Sequence, residues 1–291
     1  MSAPFPVYLP ETYDDAAEVL AEHDGEARIL AGGQSMAVLL RLGMAQPAGL
    51  VSLRRCPEAG TASPTPAGDA LRIGARYTVA DAHADLSDDF AALRSAAGQV
   101  ASPHVRNLGS VVGNVCHADP ANDLAAPLLC HETTATAQSV RGTRTVSLGD
   151  LLVAPYAPAL DPDEYVVDLV VAPRTGWHGA YRKQVWRSAD HPVAGVAAVL
   201  DVRDGVVADA RVALSATVAV ACLLDDVAAA LRGVAADAAP AVAREAAADA
   251  LAGLALLGDH DVPASYRRKV AAVLVGDAVA DALTTGGGSH R

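Results

Sequence analysis

The sequence predicts an α+β chain made of more than one compact unit, and three observations carry that prediction. The run Ile29-Leu30-Ala31-Gly32-Gly33-Gln34-Ser35-Met36 passes from an apolar, strand-like stretch through paired glycines into a helix-like apolar pattern. Asp204-Gly205 joins two runs of alternating apolar residues, Val196–Val202 and Val206–Leu214, which is the signature of a two-residue hairpin. Alanine-rich helical stretches follow at about 224–231, 240–256 and 264–283. A length of 291 residues exceeds the usual single domain, so two or three units are expected.

Composition narrows the class. Hydrophobic residues make up 52% of the chain but aromatics only 4%, so the core must be built from Ala, Val and Leu. The net charge of −12, with no large Lys/Arg cluster, argues against a nucleic-acid partner. The apolar run Val212 to Leu224 is too short to span a bilayer, so no membrane span is expected. The Met1 end lacks a basic segment followed by an apolar one, and the cytoplasm is the expected location. The four cysteines, Cys56, Cys116, Cys130 and Cys222, form no C-x-x-C and read as reduced thiols. The nine histidines show no metal-ligand spacing, so no metal site is expected.

Taken in order, Phe5–Pro10 reads as extended, and Thr12 caps a helix whose first turn carries Asp14 and Asp15. Arg28–Leu30 is a strand, and the glycine turn leads to a helix with Met36, Leu39, Leu40 and Leu42 on one face. Leu50–Leu53 is a second strand, and Cys56–Gly68 reads as a surface loop or boundary. Ala70–Ala75 is a strand, Thr78 caps a helix to Leu86, and Ala91–Val100 is helical up to Ser102-Pro103. In Val105–Leu124, Gly109 and Gly113 interrupt an apolar strand pattern, which marks close backbone approach. Asp119-Pro120 reads as N-cap and first residue of a helix, with Asp123 one turn further on. Asp150 reads as another cap, Tyr165–Val171 as a strand, and Pro173–Gly176 as a boundary.

Two glycine-bearing bends therefore stand out. Paired glycines at a helix start let backbone N–H groups converge, which suits a phosphate, and equally serves as a sharp turn. Asp123 is suited to ribose hydroxyls, and Ser110 and Asn114 to the polar edge of a cofactor. On the residues alone, a capping Asp119 and a solvated Asp123 are the alternative.

The segments R-I-L-A-G-G-Q-S (28–35), R-N-L-G-S-V-V-G-N (106–114) and H-A-D-P-A-N-D-L (117–124) together resemble the FAD-binding medium subunit of the molybdenum hydroxylases, the family of xanthine dehydrogenase and aerobic carbon monoxide dehydrogenase. Gly43-Met44-Ala45-Gln46-Pro47, Leu71–Ala75, Pro155-Tyr156 and Asp163-Glu164 agree in order, and the resemblance runs from about Phe5 to Leu283. It implies a two-subdomain FAD-binding domain of the PCMH or vanillyl-alcohol-oxidase type, residues 1–56 and 57–173. A smaller α+β domain with an antiparallel sheet and helices (177–285) and a flexible tail (286–291) complete the expectation.

By that resemblance FAD is the cofactor. Leu30, Ala31, Gly32, Gly33, Gln34, Ser35 and Met36 would supply one set of contacts, and Ser102, Ser110, Val111, Gly113, Asn114, Asp119 and Asp123 the other. Tyr181 and Lys183 would lie near the isoalloxazine ring; an edge-strand aromatic and a solvated cation is the alternative. Two departures stand out. Val112 replaces a family glycine and restricts the backbone, and Ser215–Cys222 lacks the usual Gly- and Pro-containing segment.

No nucleophile elbow, G-x-G-x-x-G or metal constellation is present, so the chemistry must come from the cofactor and no catalytic side chain is assigned. The implied role is electron relay. A large molybdopterin-binding subunit and a small [2Fe-2S] subunit would pass electrons to FAD here and on to NAD or another acceptor. A free-standing FAD oxidoreductase in a biosynthetic pathway and a flavin-poor scaffold are the competing readings.

Overall fold

A computed structural model describes residues 5–60, 62–64, 70–187 and 189–285; the tail at 286–291 and part of the 56–68 segment lie outside them. The first unit is β1 (Val7–Tyr8), α1 (Tyr13–Glu22), β2 (Arg28–Leu30), α2 (Gln34–Arg41) and β3 (Leu50–Ser52). Its three strands form a parallel sheet in the order β1-β3-β2. Thr12 caps α1 with a reciprocal capping box to Asp15, which satisfies two N-terminal donors at once. Ala16, Ala17 and Leu20 of that helix bury against Val51, Leu53 and Cys56.

The second unit holds β4 (Ala62–Pro64), β5 (Leu71–Gly74), α3 (Val79–Asp85), α4 (Ala91–Gln99), α5 (Pro103–Arg106), α6 (Val111–Cys116), α7 (Ala125–Cys130), β6 (Thr134–Ser139), β7 (Gly142–Ser147), α8 (Leu148–Leu151), β8 (Leu152–Ala154), β9 (Ala157–Pro158) and β10 (Tyr165–Val171). Five of its strands make an antiparallel sheet, β4-β5-β10-β6-β7, with α4, α6 and α7 supplying much of the core. The described part of the 56–68 segment is not a surface loop: it holds a 3-10 turn at Pro57–Gly60 and the edge strand β4, and Cys56 and Ala59 are buried. Ser147, not Asp150, caps α8; its Oγ accepts from the Asp150 amide at 3.1 Å.

The valine- and glycine-rich run read as an interrupted strand contains no strand: 105–106 close α5, 111–116 form α6, and the rest is turn and loop. Val111, Val112 and Val115 are all buried in the same core as helix α4, and this shared burial outweighs the β-propensity of valine. Val112 therefore directs its branched side chain into packing, away from any demand for glycine-like freedom.

The third unit is β11 (His178–Gln184), β12 (Ala194–Arg203), β13 (Val206–Ser215), β14 (Cys222–Leu223), α9 (Asp225–Leu231), α10 (Ala239–Ala252) and α11 (Ala264–Thr285). Asp204 and Gly205 both take positive φ, 51° and 75°, as the predicted hairpin requires. Both faces of this antiparallel sheet are covered. Ala180, Val196, Ala198 and Leu200 pack on α9–α11, while Tyr181, Ala197, Val199 and Ala213 join the core of the second unit. Double coverage explains why Ala194–Asp201 is buried at every position instead of alternating.

The seam between the second and third units carries a polar lock. Glu132 pairs with Arg174 (3.1 Å) and Arg211 (2.7 Å), and the buried His131 sets Nδ1 3.1 Å from the Ala172 carbonyl oxygen with its ring 5.6 Å from Phe90. Burial pushes the imidazole down to about 4, and the charges of Arg174 and Arg211 act in the same direction. Between pH 6.5 and about 4 the unfolded chain holds a proton here that the folded one does not, so stability is complete above 6.5 and falls as the pH drops through that window. At 1.36 kcal/mol per pH unit the loss amounts to about 3 kcal/mol. Urea unfolding of wild type and His131→Gln between pH 7 and 4 checks this; the variant is expected to show the shallower acid limb, and parallel curves would refute the assignment.

Candidate functional site: a crevice between two glycine bends

The first bend follows β2. Gly33 is the N-cap of α2 in the left-handed region (φ 72°), where glycine carries no steric cost. Gly32 is required for another reason. A methyl group added there would stand 2.0 Å from the Leu108 carbonyl oxygen and 2.8 Å from Gly109 Cα. The two bends therefore touch through their backbones. Gly109 faces Gln34 and Gly113 faces Ala31, while Gln34 Nε2 donates to the Gly32 carbonyl at 3.2 Å. Leu30, Ser35 and Met36 flank the turn, half-buried, and no residue of α2 is fully buried.

The second bend is anchored from below. The Val79 amide donates to the Gly109 carbonyl (2.9 Å) and the Val111 amide to the Tyr77 carbonyl (3.0 Å). Ser110 is buried and caps α6, its Oγ accepting from the Gly113 amide at 3.1 Å. Ser102, half-buried, stands at the N-cap of α5, just after Ala101 with its positive φ of 39°. Arg106 holds that strained corner by donating to the carbonyls of Val100 and Ala101.

One polar atom at the crevice lacks a partner within the protein. Asn114 Oδ1 is buried and accepts no hydrogen bond, whereas the Asn114 carbonyl accepts from Asn122 Nδ2 at 2.7 Å. An unpaired buried acceptor costs about 1–3 kcal/mol unless a ligand donor meets it.

Asp119 does not open a helix. Its Oδ1 accepts from the Ala121 amide at 2.8 Å, Asn122 Oδ1 accepts from Leu124, and the chain forms a compact loop until α7 starts at Ala125. Short polar side chains here satisfy the local amides themselves and so displace the helical pattern. Asn122 is the residue that sequence reasoning passed over. Its position inside H-A-D-P-A-N-D-L was the available signal.

The loop delivers Asp123 into a buried constellation instead of a solvated helix face. Tyr181 Oη donates to Oδ1 (2.8 Å) and Lys183 Nζ pairs with Oδ2 (3.1 Å), both side chains projecting from the same face of β11. Lys183 and Asp123 side chains are only 6% and 8% exposed. The solvated cation is thereby excluded; Tyr181 does stand on an edge strand, β11, but its side chain is buried. Gly195, on the neighbouring strand, leaves room for the phenol: a methyl group there would lie 2.4 Å from Tyr181 Oη. Burial pushes the Asp123 carboxyl up, while the Lys183 charge and the two hydrogen bonds pull it back. Burial, followed by the Asp123 charge, holds the Tyr181 phenol well above its ordinary value.

The Ser215–Cys222 departure is also structural. Ser215 and Thr217 are fully buried, the Ala216 amide donates to the Pro120 carbonyl (2.8 Å), and Arg267 donates to the Ala216 carbonyl (2.9 Å). The segment thus buttresses the Asp119–Asp123 loop.

A two-subdomain unit with a glycine crevice, closed on one side by an α+β domain, defines a flavin-dinucleotide subunit of the molybdenum-hydroxylase type. Residues 3–174 match the family described as "FAD binding domain in molybdopterin dehydrogenase", and residues 179–282 match "CO dehydrogenase flavoprotein C-terminal domain". The chain belongs to this family of FAD-binding medium subunits, and FAD is its cofactor. It is 33% identical to the nicotine 6-hydroxylase medium subunit of Paenarthrobacter nicotinovorans over 216 residues, 72% of this chain and 73% of that one. It is 30% identical to the carbon monoxide dehydrogenase medium chain of Afipia carboxidovorans over 281 residues, 94% and 95% of the two chains. The solved structure of quinoline 2-oxidoreductase from Pseudomonas putida 86 superimposes with a TM-score of 0.90 at 27% identity, covering 98% of this chain and 99% of that one. Among the described residues no helix is long and apolar enough to cross a membrane, and no group of His, Cys, Asp or Glu side chains is placed to hold a metal ion.

Proposed function

We propose that the chain is the electron relay of a cytoplasmic molybdenum hydroxylase, accepting electrons from a small [2Fe-2S] subunit that is itself served by a large molybdopterin-binding subunit. The observation that carries the reading is the contact between the two glycine bends beside the orphaned Asn114 Oδ1. When bound, FAD supplies a carrier that takes up electron pairs and releases them to an acceptor such as NAD.

The protein's own residues orient and insulate. The backbone of Ala31–Ser35, flanked by Leu30 and Met36, and that of Ser110–Asn114 would hold the pyrophosphate, whose charge favours converging N–H donors. Asn114 Oδ1 would accept from the cofactor, with Ser102 and Asp119 at the rim. Asp123, Tyr181 and Lys183 would form a dry, charge-balanced wall on the ring side. The relay reading is supported over the free-standing one by Val112, buried in the core of the second unit, and by Ser215 and Thr217, both fully buried.

Purification from the native host tests the proposal. Equimolar FAD and co-purification of molybdopterin-binding and [2Fe-2S] subunits are expected. A colourless chain, or one that turns over an organic substrate unaided, would overturn the relay.

A further inference from the structure

Asn122 is only 5% exposed, and both ends of its carboxamide are engaged. Its Oδ1 accepts from the Leu124 amide at 2.7 Å, and its Nδ2 donates to the Asn114 carbonyl at 2.7 Å. One neighbour is an N–H and the other a C=O, so the partners fix which way the amide faces. An ionised aspartate in the same place could serve the first but not the second, and an alanine could serve neither.

The segments that these two bonds join lie on opposite sides of the site. The Asn114 carbonyl belongs to the last turn of α6, where the amide four residues on, that of Ala118, donates to the Val115 carbonyl instead (2.9 Å) as the backbone turns to positive φ (50°). Asn122 supplies the donor that this helix end would otherwise take from the backbone. Leu124 directly follows Asp123, so the carboxamide also braces the chain around the residue that Tyr181 and Lys183 hold. The same loop is tied to the C-terminal domain again through the Ala216 amide and the Pro120 carbonyl, 2.8 Å apart. Asn122 is thus the joint between the bend that presents Asn114 Oδ1, buried and unpaired, and the loop that carries Asp123.

We propose that Asn122 is a positioning residue of the cofactor crevice: its carboxamide locks the Asn114 end of α6 to the Asp119–Asp123 loop, so that Asn114 Oδ1 and the Asp123 carboxylate form one rigid frame. The role rests on the crevice reading above. Asn122 itself need not touch the cofactor; it acts through Asn114.

Titration of the flavin-stripped full chain with FAD, followed by quenching of FAD fluorescence, tests the role in a double-variant cycle. Asn122→Ala is expected to raise the Kd about three- to tenfold, yet by less than about twofold in an Asn114→Ala background, because the side chain that it positions is then gone. A residue that merely folds the loop would cost the same factor in both backgrounds. Asn122→Asp keeps the acceptor for Leu124 and supplies a second readout. At pH 8 it should bind FAD at least about tenfold more weakly than wild type, since a carboxylate then faces the Asn114 carbonyl. Near pH 5 the buried carboxyl takes up a proton and regains a donor, so its Kd should come within about threefold of wild type at the same pH. Circular dichroism of each variant should match wild type. Equal losses in the two backgrounds, or wild-type affinity in Asn122→Asp at pH 8, would overturn the positioning role alone. Absence of saturable FAD uptake by the wild-type chain would overturn the crevice reading and this role with it.

Discussion

Gly32→Ala is expected to strip FAD from the protein. The added methyl group would stand 2.0 Å from the Leu108 carbonyl oxygen and 2.8 Å from Gly109 Cα. Both obstacles are backbone, so no side chain can rotate away and the two bends must part. Overpacking of this kind costs about 1–3 kcal/mol in stability, but the cofactor suffers more because its pyrophosphate cradle is the contact itself. Flavin absorbance per chain after purification should fall at least tenfold, with circular dichroism retained. Gly33→Asn provides the contrast. Asparagine tolerates the left-handed region, and the nearest neighbour of the new Cβ is the flexible Leu30 side chain at 3.2 Å, so most of the flavin should remain. Full flavin content in Gly32→Ala would refute the crevice as the cofactor site.

Asp123→Ala is expected to be the most destabilising substitution at the site. It leaves the Lys183 ammonium, 6% exposed, without a counter-charge and the Tyr181 hydroxyl without its acceptor. Breaking one partner of a buried pair costs about 3–5 kcal/mol, a fall in melting temperature on the order of 10 °C for a chain of this size. Lys183→Met in the same protein should recover most of the loss, because the uncompensated charge is then gone. Thermal scans of the single and double variants, with and without FAD, check both statements. A double variant as unstable as Asp123→Ala would show that the pair contributes by packing alone.

Local signals explain what was legible in the chain. The N-caps at Thr12 and Thr78 and the Asp204-Gly205 hairpin depend on neighbours three or fewer residues away, and all three form as read. The Ala70–Ala75 and Tyr165–Val171 strands and the three C-terminal helices likewise follow from periodicity. Misreadings fall where distant partners decide. Valine and glycine in 105–116 resemble a broken strand until Val111, Val112 and Val115 find a shared core. Asp119-Pro120 resembles a helix opening until Asn122 and Asp119 satisfy the nearby amides.

By itself the sequence determined the class of fold, the two glycine bends and their match to a flavoprotein family, because short-range backbone demands and residue order are written residue by residue. Only the tertiary structure decided that Gly32 rests on the Leu108 carbonyl and that Asp123 is sealed between Tyr181 and Lys183. Each of those facts joins segments far apart in the chain, and burial sets their energetics, which no local pattern encodes.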